Sequence, residues 1–294
     1  MAPAASIISL ARPRERVLQP LGAAARLARA VHLGPPLRVA RDCLDYLFVR
    51  TGRPPLAATI GGVQFNRYLR HRSFLAGDAR RGNSYRDLFL RMVEPGLTVV
   101  DGGAHIGVYS VLASEAVRPH GRVLAFEPDP YNFRALAYNV HAHGAGNLIA
   151  SSKALGAAPG RAAFHLSRST IGSSFFRRGD TARVETVEVT CLDDELQALP
   201  PGAPLLVKLN VEGAEPLVLD GMRPVLERAG RMTLFVEVHG PLLREAGTDP
   251  VSLVERLEGL GFDLAWIDVH DDSVTPVGIV EAPERGHLLC TRQL

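Results

Sequence analysis

The sequence predicts an α/β fold built on a mostly parallel sheet, and three observations carry that reading. From about residue 83, short apolar runs recur with helical segments between them; one run ends in an acid and a glycine-rich turn that opens a helix. The third is composition: 46% hydrophobic and 22% charged residues in 294 is the make-up of an ordinary globular protein. Strand-helix alternation covers both faces of a parallel sheet with helices, and such sheets bind ligands beyond the carboxyl ends of their strands.

Taken in order, residues 1–60 read as a basic helical arm. Leu37, Ala40, Leu44 and Leu47 form an apolar stripe, with Arg38, Arg41 and Asp45 off it. Packing against the next domain is the favoured role, over contact with a membrane surface, because the stripe lacks Trp anchors. Pro54-Pro55 and Gly61-Gly62 mark a break, so residues 61–294 form the second domain, whose motifs lie within 83–294. A helix at Ser84 to Val93 and a Glu94-Pro95-Gly96 turn lead into seven predicted strands: Thr98 to Asp101, Arg122 to Glu127, Leu148 to Ser152, Leu205 to Asn210, Thr233 to Val238, Asp263 to Asp268 and His287 to Arg292. Helices are expected at Ile106 to Val117, Tyr131 to His143, Ala214 to Ala229 and Val251 to Leu260. Ala162 to Leu166 and Val184 to Thr190 suit an inserted hairpin, joined by a long Ser-, Gly- and Arg-rich loop around Phe175-Phe176 that reads as a lid.

Charge and cysteine content exclude several classes. Residues 1–98 hold 16 Arg and six acids, whereas the remainder holds 17 basic and 25 acidic residues. Only Lys153 and Lys208 are lysines, which marks a compositional bias towards Arg, and the basic residues lack the interleaved aromatics that stack on bases. No nucleic-acid partner is expected. Cys43, Cys191 and Cys290 are far apart and form no CxxC pair, so neither a disulfide framework nor a zinc knuckle follows. Met1 to Ala11 is apolar but precedes its Arg cluster, the reverse of a signal peptide, so a cytoplasmic location is expected. His141 and His143 point in different directions on a helix, and no metal site is expected.

The chemistry concentrates at Asp101-Gly102-Gly103-Ala104-His105-Ile106-Gly107. Glycines let main chain approach a ligand closely, and the helix start supplies N–H donors. The dinucleotide pattern G-x-G-x-x-G is absent, because the third position is Ala104 counted from Gly102 and His105 counted from Gly103; this disfavours a pyrophosphate and with it a nicotinamide oxidoreductase. Glu127 ends the second strand 20 residues beyond Gly107, where a carboxylate can accept both hydroxyls of a ribose; the other reading is a neighbour of Pro128 that caps a helix. Asp101 has two readings as well, holding a ligand's ammonium through water or ordering the turn.

These segments, with Ala125-Phe126-Glu127-Pro128-Asp129-Pro130-Tyr131-Asn132, Ala154-Leu155-Gly156, Leu192-Asp193-Asp194, Val207-Lys208-Leu209-Asn210-Val211-Glu212-Gly213-Ala214-Glu215 and Val236-Glu237-Val238-His239-Gly240, resemble the FkbM-type S-adenosylmethionine-dependent methyltransferases. The resemblance implies a class I methyltransferase sheet, Rossmann-like, in the order 3-2-1-4-5-7-6 with its last strand antiparallel. It implies S-adenosylmethionine as cofactor and O-methylation of a hydroxyl on a natural product, sugar or lipid-linked glycan. Asp101, Gly102, Gly103, Ala104, His105, Gly107, Glu127 and Pro128 are the expected cofactor residues, with Ser152, Lys153 and Ala154 beside the adenine. Family members usually carry Asn at the place of His105 and Asp at that of Asn210. The second departure removes a carboxylate, which makes a cofactor-holding pseudoenzyme or scaffold the alternative.

Methyl transfer to a hydroxyl needs alignment and a destination for the proton. Glu212, Glu237 and His239 are candidates. A sulfonium nearby depresses a carboxylate's pKa, whereas neutral His titrates nearer working pH, so His239 is the expected base, with Asn210 and Glu212 facing the acceptor. Glu215 suits a cap, and Lys208, on the same face as Asn210, suits an ion pair.

Overall fold

In the computed structural model, the described residues are 54, 56–68, 71, 84–167, 171–177, 179, 181–268, 273–276 and 284–293. The helical stripe expected at Leu37 to Leu47 lies outside them. What is described of the arm's last residues is strand: β1 (Leu56–Ile60) and β2 (Val63–Arg67) pair as an antiparallel hairpin. Gly61 and Gly62, read from the sequence as a break between domains, are its turn; both have positive φ (57° and 80°), the geometry that two-residue hairpin turns require.

The central sheet forms because its inner strands are short, apolar and buried on both faces. β3 (Thr98–Gly102) and β9 (Leu205–Leu209) have every residue buried, the signature of inner parallel strands. With β4 (Arg122–Phe126), β5 (Leu148–Ser151), β10 (Met232–His239), β11 (Asp263–Ile267), β12 (Val274–Pro276) and β13 (Arg285–Arg292), they stand in the order β12-β11-β13-β10-β9-β3-β4-β5. Numbered one to seven in chain order, β3, β4, β5, β9, β10, β11 and β13 read 3-2-1-4-5-7-6. β13 runs antiparallel to both neighbours, and β12 is an eighth strand at the edge beyond the seven expected. Residues alternate between two cores. Val100, Val207, Leu209, Val236 and Val238 face one side, under α5 (Glu215–Asp220), α6 (Arg223–Arg228) and α8 (Pro250–Gly259). Val99, Leu206 and Phe235 face the other, under α1 (Ser84–Arg91), α2 (Val108–Ala116) and α3 (Pro130–Ala142). Phe65 of the hairpin joins this second core, and Asn66 and Asn139 exchange two hydrogen bonds of 2.7 and 3.0 Å that pin β2 to α3.

Two expected elements differ. The helix predicted from Ala214 to Ala229 is two helices, because Pro224, early in α6, supplies no N–H and its ring clashes with a preceding carbonyl. Gly221 between them is packed so closely that a Cβ would meet the Gly156 carbonyl oxygen at 2.2 Å. The inserted hairpin is longer than predicted: β7 (Gly160–Ser167) and β8 (Thr181–Thr190) join β6 (Ala154–Leu155) in a separate three-stranded sheet. α4 (Leu192–Glu195) and α7 (Gly240–Glu245) are short helices absent from the sequence reading. Among the described residues no helix is long and apolar enough to cross a membrane.

One polar pair sits inside this apolar frame. Asp101 on β3 and Lys208 on β9 are register partners, 0% and 4% exposed in their side chains, with Nζ 2.9 Å from Oδ1. Ser110 Oγ donates to the other Asp101 oxygen at 2.6 Å, and the ammonium also lies 5.0 Å from the centre of the Tyr109 ring. Removing one partner leaves the other charge buried and uncompensated. Lys208→Met is therefore expected to cost about 3–5 kcal/mol in urea unfolding, and the double change Asp101→Asn with Lys208→Met much less than the sum of the two single changes. Additive losses would show that the two side chains are not coupled.

Candidate active site

The loop after β3 is shaped by what presses on it. Gly103 has φ 73°, and a Cβ there would stand 2.0 Å from the Asn210 carbonyl oxygen, so only glycine lets the loops after β3 and β9 touch. The N–H groups of Gly103 and Ala104 both donate to the Phe126 carbonyl at 3.0 Å. Gly107, left-handed at φ 90°, is the N-cap of α2, which no side chain among the described residues caps, and α2 starts at Val108, two residues after the expected Ile106. Of the two readings of Asp101, the hydrogen bonds favour ordering of the turn: its carboxylate is taken up by Lys208 and Ser110, while Lys208 reaches the Gly103 carbonyl at 3.4 Å. His105 adopts φ 54°, and burial of its ring, then the neighbouring His71 and Lys208, push its pKa well below the ordinary value.

Glu127 follows β4 and is 6% exposed. Its Oε2 accepts the His105 N–H at 2.8 Å and its Oε1 the Asp129 N–H at 2.9 Å. Burial, then the Asp129 charge, raise its pKa to about 8 against the pull of these N–H donors. The capping reading belongs instead to Asp129, which accepts the Tyr131 and Asn132 N–H groups at the start of α3. Glu127 Oε1 also accepts the Asn132 amide at 3.5 Å, so the carboxylate is held by two main-chain N–H groups and one side-chain amide, with a further lone pair left on Oε2. Pro128 beside it is half-buried. Ser152 to Ala154 follow β5 next to this acid, since the Glu127 N–H donates to the Ser151 carbonyl. Ser152 is exposed, Lys153 pairs with Glu195 at 2.9 Å, and Ala154 is buried in β6, so what this segment offers a ligand is chiefly main chain and the Ser152 hydroxyl.

On the other side of the glycine loop, Asn210 donates its N–H to the Gly102 carbonyl, and its Oδ1 is buried without a hydrogen-bond partner among the described residues. Such an atom calls for a donor from a ligand or water. Glu212 adopts φ 55°, a left-handed conformation rare for a side-chain-bearing residue and found preferentially at functional sites. Two contacts hold that loop. Glu215 accepts the Val211 and Gly213 N–H groups at 3.1 and 3.0 Å, and Ser174 Oγ donates to the Glu212 carbonyl at 2.8 Å. Glu215 is buried and its pKa is raised to about 8 by that burial, with the Glu237 and Glu212 charges adding to it; its role is to brace the loop. Glu237 and His239 share a face of β10 and are half-buried, at the same end of the sheet as Asn210.

Several residues of this region went unnoticed in the sequence. Tyr85 from α1 stacks 4.3 Å from His287, the register partner of Glu237, and burial, then Tyr109 and Glu237, raise its phenol pKa well above the ordinary value. Its hydroxyl is buried without a partner among the described residues. Ser173 Oγ donates to Asp129 at 2.8 Å while Ser174 reaches Glu212, so residues 171–177 of the expected lid bridge the loops after β4 and β9. Nothing in the sequence beyond the Phe pair marks them. Among the described residues no group of three or more His, Cys, Asp or Glu could hold a metal ion, and His143 instead contacts the Gln64 carbonyl at 2.8 Å.

A comparison with curated proteins finds no match. Solved structures that the chain is similar to include a precorrin-6y C5,15-methyltransferase from Geobacter metallireducens, at 16% identity and TM-score 0.39, covering 71% of this chain and 87% of that one. A SAM-dependent methyltransferase from Aquifex aeolicus gives 13% identity and TM-score 0.41 over 76% of this chain and 99% of that one. M. jannaschii TYW2 in complex with AdoMet gives 13% identity and TM-score 0.43 over 82% of this chain and 88% of that one. Residues 101–264, more than half of the chain, match the methyltransferase FkbM domain from the acid of the glycine turn into β11, and the chain belongs to the FkbM methyltransferase family.

Proposed function

We propose that this protein uses S-adenosylmethionine to methylate a hydroxyl of a small molecule, sugar or lipid-linked glycan. The observation that carries the reading is the Glu127 carboxylate, buried beside the glycine turn and oriented by two main-chain N–H groups and the Asn132 amide, with acceptor capacity left on Oε2 for a ribose hydroxyl. The Oδ1 of Asn210, buried without a hydrogen-bond partner among the described residues, is a further sign of fit, since a ligand hydroxyl or ammonium would satisfy it. When bound, the cofactor supplies a methyl group on a positive sulfonium. Gly103, Ala104, His105 and Gly107 let main chain line its crevice, Asp101 holds the turn in place through Lys208, and Pro128 with Ser152 to Ala154 borders the adenine. Asn210 orients the acceptor hydroxyl, and His239 takes its proton, with Glu212 completing the wall. The chain works in the cytoplasm on this reading, with no nucleic-acid partner.

Transfer of labelled methyl from S-adenosylmethionine to a panel of hydroxyl acceptors tests the assignment. His239→Ala is expected to lower kcat on the order of 10²- to 10⁴-fold with cofactor affinity unchanged. Cofactor binding without turnover on any acceptor, with turnover appearing in Asn210→Asp, would instead identify a pseudoenzyme.

The raised Glu127 pKa gives a pH signature. Below about 8 the free protein holds this carboxyl largely protonated, whereas a diol and a nearby cation favour the ionised form. Cofactor affinity is therefore expected to rise with pH by up to about tenfold per unit and to level off above 8. The contribution of the same proton to the stability of the free fold runs the other way: it is complete below the ordinary carboxylate range and lost as pH rises through 8. Calorimetric titrations between pH 6 and 9 should show the rise in the native protein and a flat profile in Glu127→Gln; a flat native profile counts against the role.

A further inference from the structure

We propose that His71, which precedes the family-matched region by 30 residues, is a positioning residue for the ribose site and acts on Glu127 through Asn132; this rests on the reading of Glu127 as the ribose acceptor. His71 is 0% exposed, so both ring nitrogens must be satisfied inside the protein. Its Nδ1 accepts the Tyr68 N–H at 3.1 Å. A nitrogen that accepts carries no proton, so the proton of the neutral ring is on Nε2, which lies 3.0 Å from Asn132 Oδ1 and donates to it.

That donation settles which way the Asn132 amide faces. With Oδ1 turned to His71, Nδ2 points at Glu127 Oε1, at 3.5 Å. The reversed amide would present an oxygen to the carboxylate in its ionised, ribose-holding form and repel it. His71 also bears on the other oxygen of Glu127. Its ring stands edge-on to His105 at 5.0 Å between centres, and the N–H of His105, a residue at positive φ, donates to Oε2. Both oxygens are therefore aimed with the help of one imidazole anchored 56 residues upstream, and Asn132 is itself buried, 3% exposed.

The relay separates from simple packing through two substitutions. His71→Phe keeps a ring of similar shape and lacks the donor; His71→Gln loses the ring and keeps an N–H able to reach Asn132. Calorimetry compares S-adenosylhomocysteine with its 2′-deoxyribose analogue, and the readout is the ratio of the two affinities. The native protein is expected to prefer the full ribose by on the order of tenfold or more. His71→Phe should lose most of that preference while binding the deoxy analogue within about twofold of native, and His71→Gln should keep it. Asn132→Ala should lose the preference by itself, and adding His71→Phe to it should cost nothing further. A preference kept in His71→Phe, or lost in His71→Gln but not in His71→Phe, overturns the relay in favour of packing. Glu127→Ala serves the underlying reading separately: if it retains the preference, the ribose assignment fails whatever His71 does. Thermal melts of each variant restrict the comparison to folded protein.

Discussion

The site depends on one buried ion pair. Asp101 and Lys208 stand opposite each other on neighbouring strands at their carboxyl ends, where β3 and β9 hand over to the two loops that form the crevice. A lone charge at either position would be intolerable in an apolar sheet, and the pair is tolerable because each end has further partners: Ser110 for the carboxylate, the Tyr109 face and the Gly103 carbonyl for the ammonium. Those additional partners belong to the glycine turn and to α2. The electrostatics that keep the sheet intact therefore also hold the turn against the sheet, and Gly103 can lie on the Asn210 carbonyl only because both loops are anchored from below.

From that anchor the two sides of the crevice are organised differently. The Glu127 side is built from main-chain donors to a carboxylate, with neutral amides and imidazoles around it. The Asn210 side is built from a left-handed Glu212 braced by Glu215 from within and by Ser174 from above. Carboxyls kept protonated by burial, Glu127 and Glu215, recur on both sides, so the free protein carries less negative charge there than the sequence suggests.

Most of the sheet was legible because inner parallel strands such as TVVDG and LLVKL are short apolar runs that recur between helical segments and end at turns. The glycine turn and Glu127 were legible because close approach and a strand-end acid leave a local pattern. What escaped was non-local. His71 and Asn132 are 61 residues apart, and neither has a local pattern that predicts the meeting. The break at Gly221 and Pro224 is hidden inside an otherwise helical run, Gly61-Gly62 forms a hairpin turn yet reads as a boundary because a hairpin turn and a linker share their residues, and β12, Val274 to Pro276, is three exposed residues, too short to leave an alternating pattern.

The hairpin and the last strand lie on either side of residues 101–264, yet both are built into the body of the fold. β1-β2 roofs α3 through Asn66, Phe65 and the carbonyl met by His143; β13 fills the gap between β10 and β11. A fragment trimmed to the limits of the family match would bare the flank of α3 and leave β10 with an open row of amides, an invitation to self-association. Recombinant pieces meant to stay monodisperse must therefore start no later than Leu56 and run through Arg292.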